Sequence, residues 1–119
     1  MATPATAKNI GTLDPNEELD FLVPLAPVLE PGEEIASYTL ELLPEAVALG
    51  LTIMTGSGRD HALALENTAI YFWLNIDPDF IGNAAFDGGI ALPMQVTAIT
   101  NSDPARKRQR TFLVSVVQL

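Results

Sequence analysis

Several short runs of this chain place an apolar side chain at every second residue, and that spacing limits the fold more than any other feature. Residues 19–25 alternate through Leu19, Phe21, Val23 and Leu25. Residues 35–42 do so through Ala36, Tyr38, Leu40 and Leu42, with Ser37, Thr39 and Glu41 between them. The same pattern recurs at Ile70, Phe72, Leu74 and Ile76, at Met94, Val96 and Ala98, and at Phe112, Val114 and Val116. A period of two is the pleat of a β-strand, whereas a helix repeats near 3.6. Strands are therefore expected over 19–25, 35–42, 68–76, 90–100 and 110–119, with Phe112 in the core.

Between these runs lie breakers. "LDPNEE" (13–18), "EPGEE" (30–34) and "TGSGRD" (55–60) read as turns or loops, and "DPDFIGNAAFDGG" (77–89) as a long connection. Segment 43–54 admits a short helical turn over Glu45–Leu49 and then a strand. Segment 62–76 reads as two strands broken near Glu66 and Asn67. Pro24 inside its strand points to a sheet edge. In the last hairpin, Met94, Val96 and Ala98 are expected to face Phe112, Val114 and Val116.

About seven short strands with almost no helix define an all-β chain. The expected architecture is an antiparallel β-sandwich with an immunoglobulin-like Greek key, an up-and-down barrel being the alternative. A length of 119 residues suits one domain with a single core. Residues 1–12 are small and polar and read as an extended N-terminal arm that anchors to a partner, with the domain over 13–119. They contain no signal-peptide core, and no apolar run reaches the length of a membrane span, so synthesis in the cytosol is expected.

The net charge is −9, from fifteen acids against six bases and no cysteine. Such a field opposes nucleic acid and anionic membranes at long range. Four of the six bases nevertheless gather within "SDPARKRQRTF": Arg106, Lys107, Arg108 and Arg110. Basic residues at a strand entry guard an edge against unwanted pairing. In a chain whose acids concentrate before Ala46, they also suit a carboxylate-bearing partner, and they are expected to bind protein carboxylates rather than nucleic acid.

Catalytic signals are poor. His61, the single histidine, follows Asp60 in a Gly-rich loop near Ser57, and a solvated loop histidine is expected. Glu17/Glu18, Glu33/Glu34 and Asp77/Asp79 are carboxylate pairs in turns, where turn chemistry accounts for them without a glycosidase cleft. "NIDPD" with Asp87 lacks the spacing and the glycine of an EF-hand, and "GSG" (56–58) lacks the lysine of a phosphate loop. No metal, cofactor or enzymatic activity is expected. Tyr71 and Trp73 share the second face of their strand, as core, as a protein contact or as a sugar platform.

The opening stretch "LDPNEELDFLVPLAPVLEPGEEIASYTLEL" resembles a group of small tailed-phage virion proteins. The resemblance rests on Asp14, Pro15, Glu17 or Glu18, Leu19, Asp20, Phe21, Leu29, Gly32, Glu33, Ile35 and Ser37. Trp73, Leu74, Gly88, Gly89, the strand 96–100, Arg110 and Phe112 extend it. The chain differs in carrying "VPLAP" where the group has an aromatic-rich segment, and NSDP rather than a glycine turn in the last hairpin. The resemblance implies a non-enzymatic, Ig-like structural protein of the fibre–tail adaptor type. Such a protein would be present in multiple copies in a symmetric virion, contacting tail, neck, fibre or capsid subunits. Head decoration or cement, a neck component and a carbohydrate-binding β-sandwich are the alternatives.

Overall fold

The computed structural model describes residues 7–119. Its strands are β1 (Lys8–Leu13), β2 (Leu19–Pro24), β3 (Ile35–Leu42), β4 (Leu51–Ile53), β5 (Ala62–Ala64), β6 (Ala69–Ile76), β7 (Ile90–Thr100) and β8 (Lys107–Val116). A single helical turn, α1 (Pro44–Val47), precedes β4, and three short 3-10 turns interrupt the connections. The strands form two packed sheets in a sandwich. One sheet runs β1-β8-β7-β3; the other runs β2-β6-β4, with β5 also paired to β6. β4 pairs with residues 74–76 of β6 and β5 with residues 69–71, so the two line successive parts of one flank.

All pairs are antiparallel except β1 with β8, which is parallel and makes the first sheet mixed. This pair changes the expected domain plan. Residues 1–6 of the expected arm lie outside the described residues. From Lys8 onward the chain is a strand of the domain rather than an arm outside it. Lys8 lies opposite Phe112 and Leu13 opposite Val116, with a register shift between Asn9 and Thr12. Gly11 sits at that shift with φ +152°, and a Cβ there would lie 2.8 Å from the Phe21 ring. A glycine lets the strand pass over the core at this point. Small, polar residues suit β1 because it is an edge strand with only a partial core face.

The core follows the period-two pattern. Ile70, Phe72, Leu74 and Ile76 of β6 are all buried, against Leu92, Met94, Val96 and Ala98 of β7 and Phe112, Val114 and Val116 of β8. Phe21 of β2 stacks on Phe72 with ring centroids 6.3 Å apart. Pro24 ends β2 at a sheet edge, where its missing N–H disturbs no ladder. In β3 a register shift between Ile35 and Ser37 buries Ile35 and leaves Ala36 exposed, where alternation alone would put Ala36 on the face of Tyr38.

The last hairpin keeps its expected core residues but not its full register. Met94 lies opposite Phe112, Leu92 opposite Val114 and Ile90 opposite Val116, while Val96 and Ala98 face Arg110 and Arg108. Residues 101–106 form the connection, which contains a cis Asp103–Pro104 bond. β8 therefore begins at Lys107, before the apolar run does. Phe86, fully buried, comes from the long connection and closes one end of the core. No helix among the described residues is long and apolar enough to cross a membrane.

Candidate functional site

The basic segment divides once it is folded. Arg106 lies in the connection before β8, and its Nη2 donates to Glu30 Oε1 at 2.7 Å. Its Nε lies 3.4 Å from Glu33 Oε2, an ion-pair contact without hydrogen-bond alignment. Its carboxylate partners thus come from its own chain, in the turn before β3. The hydrogen bond that Arg106 donates to Glu30, aided by both negative charges and opposed by burial, raises the Arg106 pKa above its ordinary value.

That turn is built by a spacing that occurs twice. In Glu30-Pro-Gly-Glu33, the N–H of Glu30 donates to Glu33 Oε1 at 3.0 Å and the N–H of Glu33 to the Glu30 carbonyl at 2.9 Å. In Asp14-Pro-Asn-Glu17, the N–H of Asp14 donates to Glu17 Oε1 at 2.9 Å and the N–H of Glu17 to the Asp14 carbonyl at 2.9 Å. Each is an acid-Pro-x-Glu turn with the reciprocal logic of a capping box. Asp14 also receives the N–H of Asn16 and of Leu119, both at 2.8 Å, which ties the C-terminal end of the chain to the end of β1.

These hydrogen bonds hold two carboxyls below their ordinary pKa. For Glu33 the main cause is the Glu30 N–H, with the Ser102 and Thr100 hydroxyls and Arg106 assisting against the cost of burial. For Asp14 the Asn16 N–H leads and the Leu119 N–H follows, again against burial. The unfolded chain therefore binds these protons more readily than the folded one, so stability is expected to rise with pH through the acidic range. It should be complete above the ordinary carboxylate values, roughly 4–4.5, and be lost progressively as pH falls through the lower folded values. Chemical denaturation between neutral and strongly acidic pH checks this: Glu33→Gln should flatten part of the slope, and an unchanged slope would remove Glu33 from the account.

The other three cations lie along β8. Lys107 is exposed; Arg108 is half-buried, on the same strand face as Phe112; Arg110 is exposed and donates to the Gln109 carbonyl at 2.7 Å. None of the three has a carboxylate partner among the described residues. Beside them is a recess of about 230 Å³, framed by Lys8, Leu25, Val28, Arg110 and Phe112. A larger open hollow of about 600 Å³ lies between the Glu30–Glu33 turn and residues 101–106.

Tyr71 and Trp73 are half-buried on the outer face of β6, and the Trp73 Nε1–H donates to the Tyr71 hydroxyl at 2.7 Å. The Arg59 guanidinium sits 5.2 Å from the Trp73 ring centre, and it pairs with Glu18 at 3.3 Å. A cation over the indole occupies the face that a sugar platform would offer. Arg59 was invisible as a partner in the sequence because it stands in a Gly-rich loop with no periodic relation to Trp73.

His61 is exposed in the segment before β5, as expected of a solvated loop histidine, and it also has a partner. Its Nδ1 lies 2.7 Å from the Tyr38 hydroxyl, and the two rings meet edge-on at 5.4 Å. The contact joins β3, an edge of one sheet, to the segment entering β5, on a flank of the other. Burial raises the Tyr38 pKa. In the loop beside it, Asp60 accepts the Gly56 N–H at 2.7 Å. Asp77 accepts the Asp79 N–H at 2.9 Å and caps a 3-10 turn, as the Asp-Pro-Asp pattern suggests. No cluster of three or more metal-ligating side chains occurs among the described residues.

Fold and surface together define a two-sheet β-sandwich with a basic entry to β8, which lies between β1 and β7. No protein-family model matches the chain, and no curated protein matches it in sequence.

Proposed function

We propose that this domain is a structural protein of a tailed-phage virion, a non-catalytic β-sandwich adaptor that docks on the tail or neck through protein–protein contacts. The observation that carries the reading is where the polar chemistry goes. His61, Asp14, Glu33 and Arg106, the groups best suited to acid–base or anion chemistry, each tie one part of the fold to another. What remains for function is surface, and the uncommitted cations lie along the first half of β8.

The strand order supports an Ig-like Greek key. The neighbours β3, β7 and β8 correspond to the three-stranded sheet of an immunoglobulin constant-type sandwich. β2, β6 and the β4/β5 flank correspond to its opposing sheet. The chain has neither the inter-sheet disulfide nor a tryptophan on the equivalent of strand C, so the likeness lies in topology. The resemblance to small virion proteins, which covers most of residues 13–119, supplies the particular setting: assembly from the host cytoplasm into a symmetric particle in several copies. The net charge of −9 argues for protein partners over DNA or membrane. Head decoration is the alternative site in the same particle. A carbohydrate-binding role is disfavoured by Arg59 over Trp73.

The test is co-sedimentation. A tagged copy of the full chain expressed during infection should band with assembled particles at constant stoichiometry, and labelling should place it at the tail or neck. Recovery of the tag only in the soluble fraction, with particles fully assembled, would reject the virion role.

A further inference from the structure

We propose that the free flank of β3 takes an added strand from a partner protein, an extended segment that alternates apolar and basic residues. The inference names a docking site for the adaptor role above and rests on it.

Strand direction decides which main-chain groups are free. β3 ends its sheet and pairs only with β7. The ladder continues past its end, where the Leu43 N–H donates to the Pro93 carbonyl at 3.2 Å. Alternate residues of a strand send their main-chain groups to the same side, so Ser37, Thr39 and Glu41 also face β7. The N–H and C=O groups of Tyr38, Leu40 and Leu42 face away from β7, and among the described residues they have no hydrogen-bond partner. The open stretch is bounded. At its start the Ile35 N–H donates to the Asn67 carbonyl at 2.8 Å, and α1 follows its end. β1, at the N-terminal end of the described residues, stands at the opposite edge of this sheet, with β8 and β7 between.

The edges of the second sheet are guarded or short. β2 carries Asp20 and Pro24, and β4 and β5 have three residues each. β3 runs for eight residues with no proline and one charge, Glu41. Its core side is also incompletely covered. Tyr38 and Leu40 are half-buried, as is Leu42, whereas Ala98, Val96 and Met94 opposite them on β7 are buried. Ile53 of β4 and Leu63 of β5, on the flank of the opposing sheet, are half-buried as well. A strand laid on β3 sends every second side chain to this seam and the others to the outer face, beside Ser37, Thr39 and Glu41.

Charge selects the occupant. Glu41 and, in α1, Glu45 are exposed and have no cationic partner among the described residues. No lysine or arginine occurs between Lys8 and Arg59. The added strand therefore carries apolar residues toward the seam and a basic residue beside Glu41. A second copy is a poor donor: β3 on β3 joins two acidic strands without a cation, and residues 107–110 are already laddered to β7. Nucleic acid meets no cation on this flank.

The probe is a fluorescein-labelled peptide alternating valine and lysine, titrated into the full chain and followed by anisotropy. It should bind. A valine–glutamate peptide should not, and a peptide with the same valines and lysines in two blocks should bind roughly tenfold more weakly or worse, because it cannot sort its side chains between two faces. Glu41→Lys should weaken binding by roughly tenfold as well, and Glu41→Gln by less; thermal melts show whether both variants fold. Hydrogen exchange should show new protection at the amides of Tyr38, Leu40 and Leu42, while Thr39 and Glu41, already laddered to β7, stay as they were.

Absent binding, or binding without protection at those three amides, overturns the assignment. So does equal binding of the block peptide, which would make the attraction one of net charge alone. A concentration-dependent dimer protected at the same amides would make a second copy the occupant, and peptide binding that requires prior deletion of residues 2–6 would make it the chain's own N-terminus. Either result also rejects the proposal. Peptide binding on β3 in a chain that fails to enter particles would leave this site standing and reject only the virion setting; entry into particles without peptide binding would do the reverse.

Discussion

Replacing Phe72 with alanine is expected to cost about 3–5 kcal/mol of folding stability, the range for removing a buried aromatic side chain. Phe72 is fully buried, lies opposite Phe21 in the β2–β6 ladder and stacks on its ring. β6 pairs with β2, β4 and β5, so a cavity there is felt across its whole sheet. For a small domain whose total stability is roughly 5–15 kcal/mol, the loss is a large fraction. Denaturant midpoints of the wild type and Phe72→Ala measure it. A shift no larger than that of an exposed substitution would mean that β6 faces the core with Tyr71 and Trp73 instead. Phe112→Ala, on the neighbouring sheet and also buried, should fall in the same range.

Deleting residues 2–11 should destabilise the domain by roughly 2–4 kcal/mol. The loss comes from ladder hydrogen bonds at about 1 kcal/mol each and the half-buried Ile10. A detached arm would leave stability unchanged. The structure makes Lys8–Leu13 the parallel edge partner of β8, with Ile10 packed on the core and Gly11 passing over Phe21. Thermal melting of the deletion decides between the two. Any effect on particle incorporation has to be read after that measurement, because a less stable chain enters an assembly poorly whether or not its terminus makes contacts there.

The charge distribution takes on meaning only in three dimensions. Along the chain, Arg106, Lys107, Arg108 and Arg110 form one cluster. In the fold, Arg106 leaves it to serve the Glu30–Glu33 turn, and the strand register sends Arg108 to the face of Phe112 and Lys107 to the other. The acidic turns divide in the same way. Glu33 and Asp14 are spent on backbone N–H groups, whereas Glu18 reaches Arg59 and helps to hold it near Trp73.

Side-chain faces are legible in the sequence. Alternation is a local property, so Phe21, Val23, Ile70, Phe72, Leu74, Ile76, Phe112, Val114 and Val116 could be assigned to the core from spacing alone, and all are buried. Turns were legible for the same reason, since proline, glycine and short acids act on their own backbone. Which strand meets which was decided by the tertiary structure. β1 is too polar to announce itself, and a parallel pair joining Lys8 to Phe112 has no turn between its strands to mark it. The bulge after Ile35 and the hairpin register that puts Arg110 opposite Val96 depend on how two sheets close over one core. The partner of Arg106 lies 76 residues away at Glu30, a separation at which no local pattern carries information. Short-range sterics and burial set the elements; long-range packing chose their neighbours, and with them which cations remained free.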